Sequence, residues 1–224
     1  MSSTRFYSSL TKKFIMSLMG LFLITFLFVH LIINLTILTD PTKETFNEAA
    51  HFMATNPLIQ IFQWVLFGGF IIHIIFGVIV QLQNWAARPK GYKVKGSAEE
   101  NPFSQWMIYT GIIVFIFLVI HFVNFFMIAK GIIPGIKTVD VGGVEMEDLG
   151  QLILDLFKNG WYVAFYVVAL ALLGFHLDHG FQSAFQSLGL NHKKYTPFIK
   201  GVSRVIAIVL ALGFIVIPLI VYFK

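Results

Sequence analysis

The sequence predicts an all-α membrane protein: a single domain over residues 1–224, built as a bundle of five transmembrane helices. Two observations predict it, and a third orients it. The chain is 57% hydrophobic and 12% charged, with a mean hydropathy of +0.80, whereas a soluble domain carries roughly 25% charged residues. Its apolar residues, 25 of them Phe, gather in five long runs. Its basic residues segregate to one side of those runs. So much apolar surface cannot be hidden inside a 224-residue fold, so lipid must be its solvent.

A hydrocarbon core of ~30 Å takes about 20 helical residues to cross. The five candidate spans lie at about 14–38, 58–83, 106–129, 161–187 and 202–223. The first is too long for the core of a signal peptide, and no small-residue cleavage site follows it. The fourth ends in Asp178, His179, Gln182 and Gln186. Its last turns are expected to leave the lipid or to face protein.

The charges between spans set the orientation. Arg5, Lys12 and Lys13 precede the first span; Arg88, Lys90, Lys93 and Lys95 follow the second; Lys193, Lys194, Lys200 and Arg204 separate the fourth from the fifth. These are eleven of the sixteen basic residues. The other side collects Asp40, Glu44, Glu48, Asp140, Glu145, Glu147, Asp148 and Asp155. The positive-inside rule then places the N-terminus in the cytoplasm and the C-terminus outside. Trp64, Trp85, Trp106 and Trp161 fall near span ends, where amphipathic rings settle at headgroups. The net charge of +5 is read as this basic face, not as a nucleic-acid site. Zero cysteines exclude disulfides, thiolate-held metal and clusters, and covalently attached haem.

Polar residues inside a span are costly and mark functional candidates. The first four spans carry one deep histidine each: His30, His73, His121 and His176; the fifth carries none. A single such histidine is as well explained as a hydrogen-bonded structural residue. Four, one per span, are not. Each lies about 15 residues, or ~22 Å, from the start of its span. Alternating spans run in opposite directions, so His30 and His121 share an outer level. His73 and His176 share an inner level, roughly 10 Å away along the membrane normal. Two coplanar pairs are what bis-histidine ligation of two b-type haems requires, and the core of a helical bundle suits such cofactors. The two halves of the chain, spans 1–2 and 3–4, each carry an outer and then an inner histidine, as an internal duplication would.

Gly69 and Gly77 flank His73 at four residues, and Gly180 lies four beyond His176. Residues four apart share a helix face, so these glycines clear a surface for a flat ring or, alternatively, let helices approach closely. Asn34 stands four residues after His30, as a support for the ligand or as an interhelical hydrogen bond. His179 competes with His176 but is nearer the span's end, so His176 ranks first. His51 and His192 fall in loops.

The ordered segments VHLIINL around His30, FNEAAHFM at Phe46–Met53, IHIIFGVIV around His73, IHFVNFF around His121 and FHLDHGFQSAFQSLG around His176 resemble one family. It is the membrane-anchor cytochrome b subunit of succinate dehydrogenases and quinol:fumarate reductases, in its single-chain, five-helix, di-haem form. The resemblance implies His30 and His121 on the distal haem, and His73 and His176 on the proximal haem. It also implies an iron–sulfur subunit docked on the basic cytoplasmic face, a flavoprotein beyond it, and a bacterial cytoplasmic (inner) membrane. Dicarboxylate chemistry would belong to the flavoprotein, and this chain would exchange electrons with a quinone, commonly menaquinone. Ser17, Arg88, Gln105, Trp106 and Lys193 lie near the inner level, where haem propionates need partners. The lysine that some relatives use for a propionate has no counterpart here. Glu44, Glu48 and His51 fall where some relatives place the acid that handles quinol protons, and such a group must reach the quinone directly or through one water. Two other readings remain open: the cytochrome b of a hydrogenase or formate dehydrogenase, and a histidine-relay proton transporter.

Overall fold

The computed structural model describes residues 9–87, 106–134 and 136–224. Arg5, Arg88, Lys90, Lys93, Lys95 and Gln105 lie outside the described residues. The elements in order are α1 (Ser9–Thr39), α2 (Glu44–Thr55), α3 (Pro57–Ala87), α4 (Met107–His121), a π-helical turn (Phe122–Phe126), α5 (Met127–Ala129), β1 (Thr138–Val141), β2 (Val144–Glu147), α6 (Leu149–Leu156), α7 (Gly160–Ser187) and α8 (Thr196–Phe223).

Among the described residues five stretches are long and apolar enough to cross a membrane: Leu10–Thr39, Pro57–Ala86, Met107–Ala129, Gly160–Ser187 and Thr196–Phe223. The protein is a multi-pass membrane protein. The side where α1 begins is called here the near side, and the opposite one the far side. A 31-residue helix such as α1 or α3 measures roughly 46 Å, so both outrun the hydrocarbon or tilt within it. The fifth span begins six residues earlier than its hydropathy suggests. Thr196 and Pro197 start the helix, and proline in the first turn forfeits no hydrogen bond.

The span helices are arranged around α1 and α7. These two pack together, α3 lies along α1, α4 along α7, and α8 covers the groove between α1 and α7. Helices α3 and α4 barely touch. The order α3–α1–α7–α4 therefore makes a four-helix square with one loose edge. Leu210, Ala207, Phe214 and Ile217 of α8 are buried against Leu170, Leu173 and Leu177 of α7 and Leu31 of α1. The approach is close. A Cβ on Gly174 would lie 2.8 Å from the Ala211 Cβ, and one on Gly213 would lie 2.7 Å from a Leu31 methyl. Small residues supply such contacts where lipid removes the hydrophobic drive between helices.

The polar end of α7 faces protein. Its span has the lowest mean hydropathy of the five, 1.7, yet the largest buried share. Ser203 of α8, 1% exposed, places its hydroxyl 2.6 Å from the Asp178 carbonyl and 2.9 Å from its carboxylate. The Gln182 amide donates to the same carboxylate at 2.9 Å.

Beyond the spans, the far side carries a small cap that is not all helical. Helix α2, the antiparallel β1–β2 hairpin and α6 fold over the bundle's end. Asn47, 2% exposed, accepts the Gly150 amide N–H at 2.8 Å and donates to Asp148 at 2.9 Å. Asp148 also caps α6 by accepting from the Gln151 N–H, and Lys43 reaches it at 3.4 Å. Burial pushes this carboxyl up, but the bonds from Asn47, Gln151 and Lys43 outweigh it and leave it below the ordinary aspartate value. Asp40 is held low as well, chiefly by the Thr42 hydroxyl and the Thr45 backbone N–H.

Candidate functional site

The four deep histidines meet in two pairs. His30 on α1 and His121 at the end of α4 have ring centroids 5.7 Å apart, with ring planes at 89°. His73 on α3 and His176 on α7 have centroids 6.3 Å apart, with planes at 73°. Each pair spans a diagonal of the square, α1 to α4 on the far side and α3 to α7 on the near side. The diagonals cross at different depths because adjacent spans run in opposite directions. His176, not His179, faces His73. His179 is half-buried, with its Nδ1 buried and without a hydrogen-bond partner among the described residues.

The near pair is held by short polar contacts and bare helix faces. His73 Nδ1–H donates to the Met16 carbonyl of α1 at 3.3 Å. His176 Nδ1 lies 3.3 Å from the Thr110 hydroxyl of α4. That hydroxyl already donates to the Met107 carbonyl, so it accepts from His176. In both rings the proton therefore sits on Nδ1 and the lone pair on Nε2. Gly20 and Gly111 face these rings: a Cβ on Gly20 would lie 3.4 Å from His73 Cε1, and one on Gly111 would lie 3.5 Å from His176 Cε1. Each glycine precedes its own helix's histidine, His30 or His121, by ten residues. Helices α1 and α4 thus repeat one pattern, a glycine turned to the near pair and a histidine belonging to the far pair.

The far pair lies among aromatic rings. Phe26 stacks on His30 at 5.2 Å and Phe214 of α8 approaches it at 5.8 Å. Phe117 and Phe125 pack on His121 at 5.6 and 5.0 Å. His121 Nδ1 lies 3.3 Å from the Tyr166 hydroxyl. The helix widens into its π turn immediately after His121, and such turns are rare and frequent at functional sites. Phe67 of α3 packs on Phe122 and Phe126 of that turn at 5.6 and 5.2 Å, bridging the loose edge of the square at its far end.

In comparisons with protein-family models, curated proteins and solved structures, none matches this chain. The site is therefore read from its own geometry. Among the described residues no group of three or more His, Cys, Asp or Glu gathers that could hold a bare metal ion. A pair of imidazoles is an incomplete set for such an ion, but it is a complete axial set for a metal whose other bonds come from a macrocycle.

The remaining candidates fall at different places. Gly69 faces Phe22 and Leu23, with the nearest Phe22 atom 3.4 Å from its would-be Cβ, and Gly77 faces Met16 at 3.8 Å. Both serve the α1–α3 packing. Gly180 meets nothing within 4 Å. Asn34 donates to the His30 backbone carbonyl at 2.8 Å and stays within α1. Ser17 is buried, Trp106 is half-exposed against Tyr109, and Lys193 is exposed. Glu44 and Glu48 are exposed on α2 and His51 is half-buried there, over the far end of α1 and α3. Sequence reasoning missed Gly20, Gly111, Thr110, Tyr166, Tyr162 and Asn124. The repeated ten-residue glycine–histidine offset was a readable signal; the hydroxyl partners, on other helices, left none.

Proposed function

We propose that this chain is a di-haem cytochrome b membrane anchor of a succinate dehydrogenase or fumarate reductase complex. It would pass electrons between an iron–sulfur subunit and a membrane quinone. The observation that carries the reading is the pair of histidine pairs, one on each diagonal of the helical square. With ring centroids 5.7 and 6.3 Å apart, the two imidazoles of each pair would both reach one haem iron held between them. The Nδ1 hydrogen bonds of His73 and His176 fit it too, because they leave Nε2 as the coordinating atom and set the ring's orientation.

In this reading His30 and His121 hold the far haem and His73 and His176 the near haem. The haems supply one-electron chemistry, and the chain supplies ligation, burial and spacing. The near side is cytoplasmic by its basic residues, of which Lys193, Lys194, Lys200 and Arg204 are exposed. They form a surface for the iron–sulfur subunit and, through it, the flavoprotein. The C-terminus is then external, in a bacterial cytoplasmic membrane. Quinone is the redox substrate on the far side, with Glu44, Glu48 and His51 as candidate proton-handling groups.

The purified chain tests this. Its pyridine haemochrome should count two b haems per polypeptide, and H30A or H121A should remove one while H73A or H176A removes the other. A wild-type chain with no haem sinks the proposal and leaves a histidine relay in its place. Two haems with a hydrogenase or formate dehydrogenase co-purifying would keep the cytochrome and replace the complex.

A further inference from the structure

We infer that Tyr166 is the positioning residue that sets the orientation and the Nδ1 hydrogen bond of His121, and that Tyr162 and Asn124 hold it in place. This rests on the haem reading above and adds a tuning element to the far site.

Helix α4 is the least buried of the five spans, and Phe117 and Phe125, the rings that pack on His121, belong to its own helix and the turn that follows. A polar bracket ties this end to α7. His121 reaches the Tyr166 hydroxyl at 3.3 Å; one turn away on α7, the Tyr162 hydroxyl lies 2.9 Å from that of Tyr166; and Asn124, in the π turn, donates its amide N–H to Tyr162 at 2.9 Å. The bracket thus leaves α4 at His121, runs along α7, and returns at Asn124. Tyr166 is 4% exposed. Phe117 and Phe157 meet its ring edge to face at 5.0 and 5.1 Å, which leaves its hydroxyl little choice of position.

The chemistry follows from the donor and acceptor inventory. A neutral imidazole that coordinates through Nε2 carries its proton on Nδ1, so His121 donates and the Tyr166 oxygen accepts. Either tyrosine hydroxyl can donate to the other, because a hydroxyl hydrogen rotates. An acceptor on Nδ1–H raises the imidazole's basicity. A more basic ligand favours ferric over ferrous iron and holds the far haem's potential down. The Asn124–Tyr162 contact ties the π turn that follows His121 to α7.

The test is a redox titration of the purified holoprotein, following each haem by its own spectrum. H121A identifies the far haem as the one it loses. Y166F should raise the far haem's midpoint potential and leave the near haem's unchanged. Y162F should move the far haem in the same direction by less. Unchanged potentials in a Y166F protein that retains both haems overturn the inference, as does an equal shift of both. Should Y166F lose the far haem, Y162F decides: a far-haem shift supports the inference, and no shift overturns it. A wild-type chain without haem defeats the underlying reading, whereas two haems with unmoved potentials defeat only this inference.

Discussion

The near and far histidine pairs answer one problem, presenting two imidazoles across a helical square, in different ways. The near pair uses little material. A backbone carbonyl and a threonine hydroxyl orient its rings, and glycines on α1 and α4 keep neighbouring side chains away. The far pair is surrounded by phenylalanines and depends on a tyrosine bracket to a helix that is otherwise poorly packed. The difference follows from which helices contribute. Helix α7, the most buried span, supplies His176 from a rigid frame. Helix α4 supplies His121 from the periphery, where a π turn and polar contacts must do what packing does elsewhere.

The comparison breaks most completely at the near glycines. On the proposed di-haem reading, G20L or G111L drives a side chain into a histidine ring and should cost the near haem while sparing the far one. Haem per polypeptide should fall from two to one, and retention of two haems in both variants would show that the cleared faces are dispensable.

A smaller effect is expected in the far cap. Asn47 satisfies both the Gly150 N–H and Asp148, so N47A should destabilise the cap by about 1–3 kcal/mol, the cost of stranding a buried polar group. Faster proteolytic nicking between α5 and α7, with both haems retained, would report it.

The same cap should respond to pH in one direction. Because Asp148 is held below its ordinary value, its contribution is complete above the usual aspartate range near ~3.9 and fades as pH falls through its lowered value. Protection of the cap from nicking by an acid-active protease should therefore fall on acidification. D148N should flatten that dependence.

The least effect is expected at His179. Its buried Nδ1 has no partner among the described residues, so H179L should keep two haems and lose no thermal stability. Loss of the near haem in that variant would show that His179 serves the near pair.

The helical spans, their number and the four histidines were legible because lipid imposes a simple rule on sequence. A segment must be apolar for about 20 residues to cross, and a polar residue within it is conspicuous. Even the pairing could be read, since a fixed rise per residue converts position into depth. The far cap was not read: it lies outside the spans, where Glu44–Thr55, the β1–β2 hairpin and Leu149–Leu156 carry only short, ordinary signals. Gly69 and Gly77 illustrate another limit, since a glycine beside a histidine is the same in sequence whether it clears room for a ring or admits a neighbouring helix. Sequence by itself therefore determined what crosses the membrane, and at what depth each histidine sits. Only the tertiary structure decided that the pairs lie on crossing diagonals, that His176 faces His73, and that Thr110 and Tyr166 stand beside the rings. Depth is a property of one helix, whereas a facing partner depends on how two helices are rotated against each other, which the packing of all five sets.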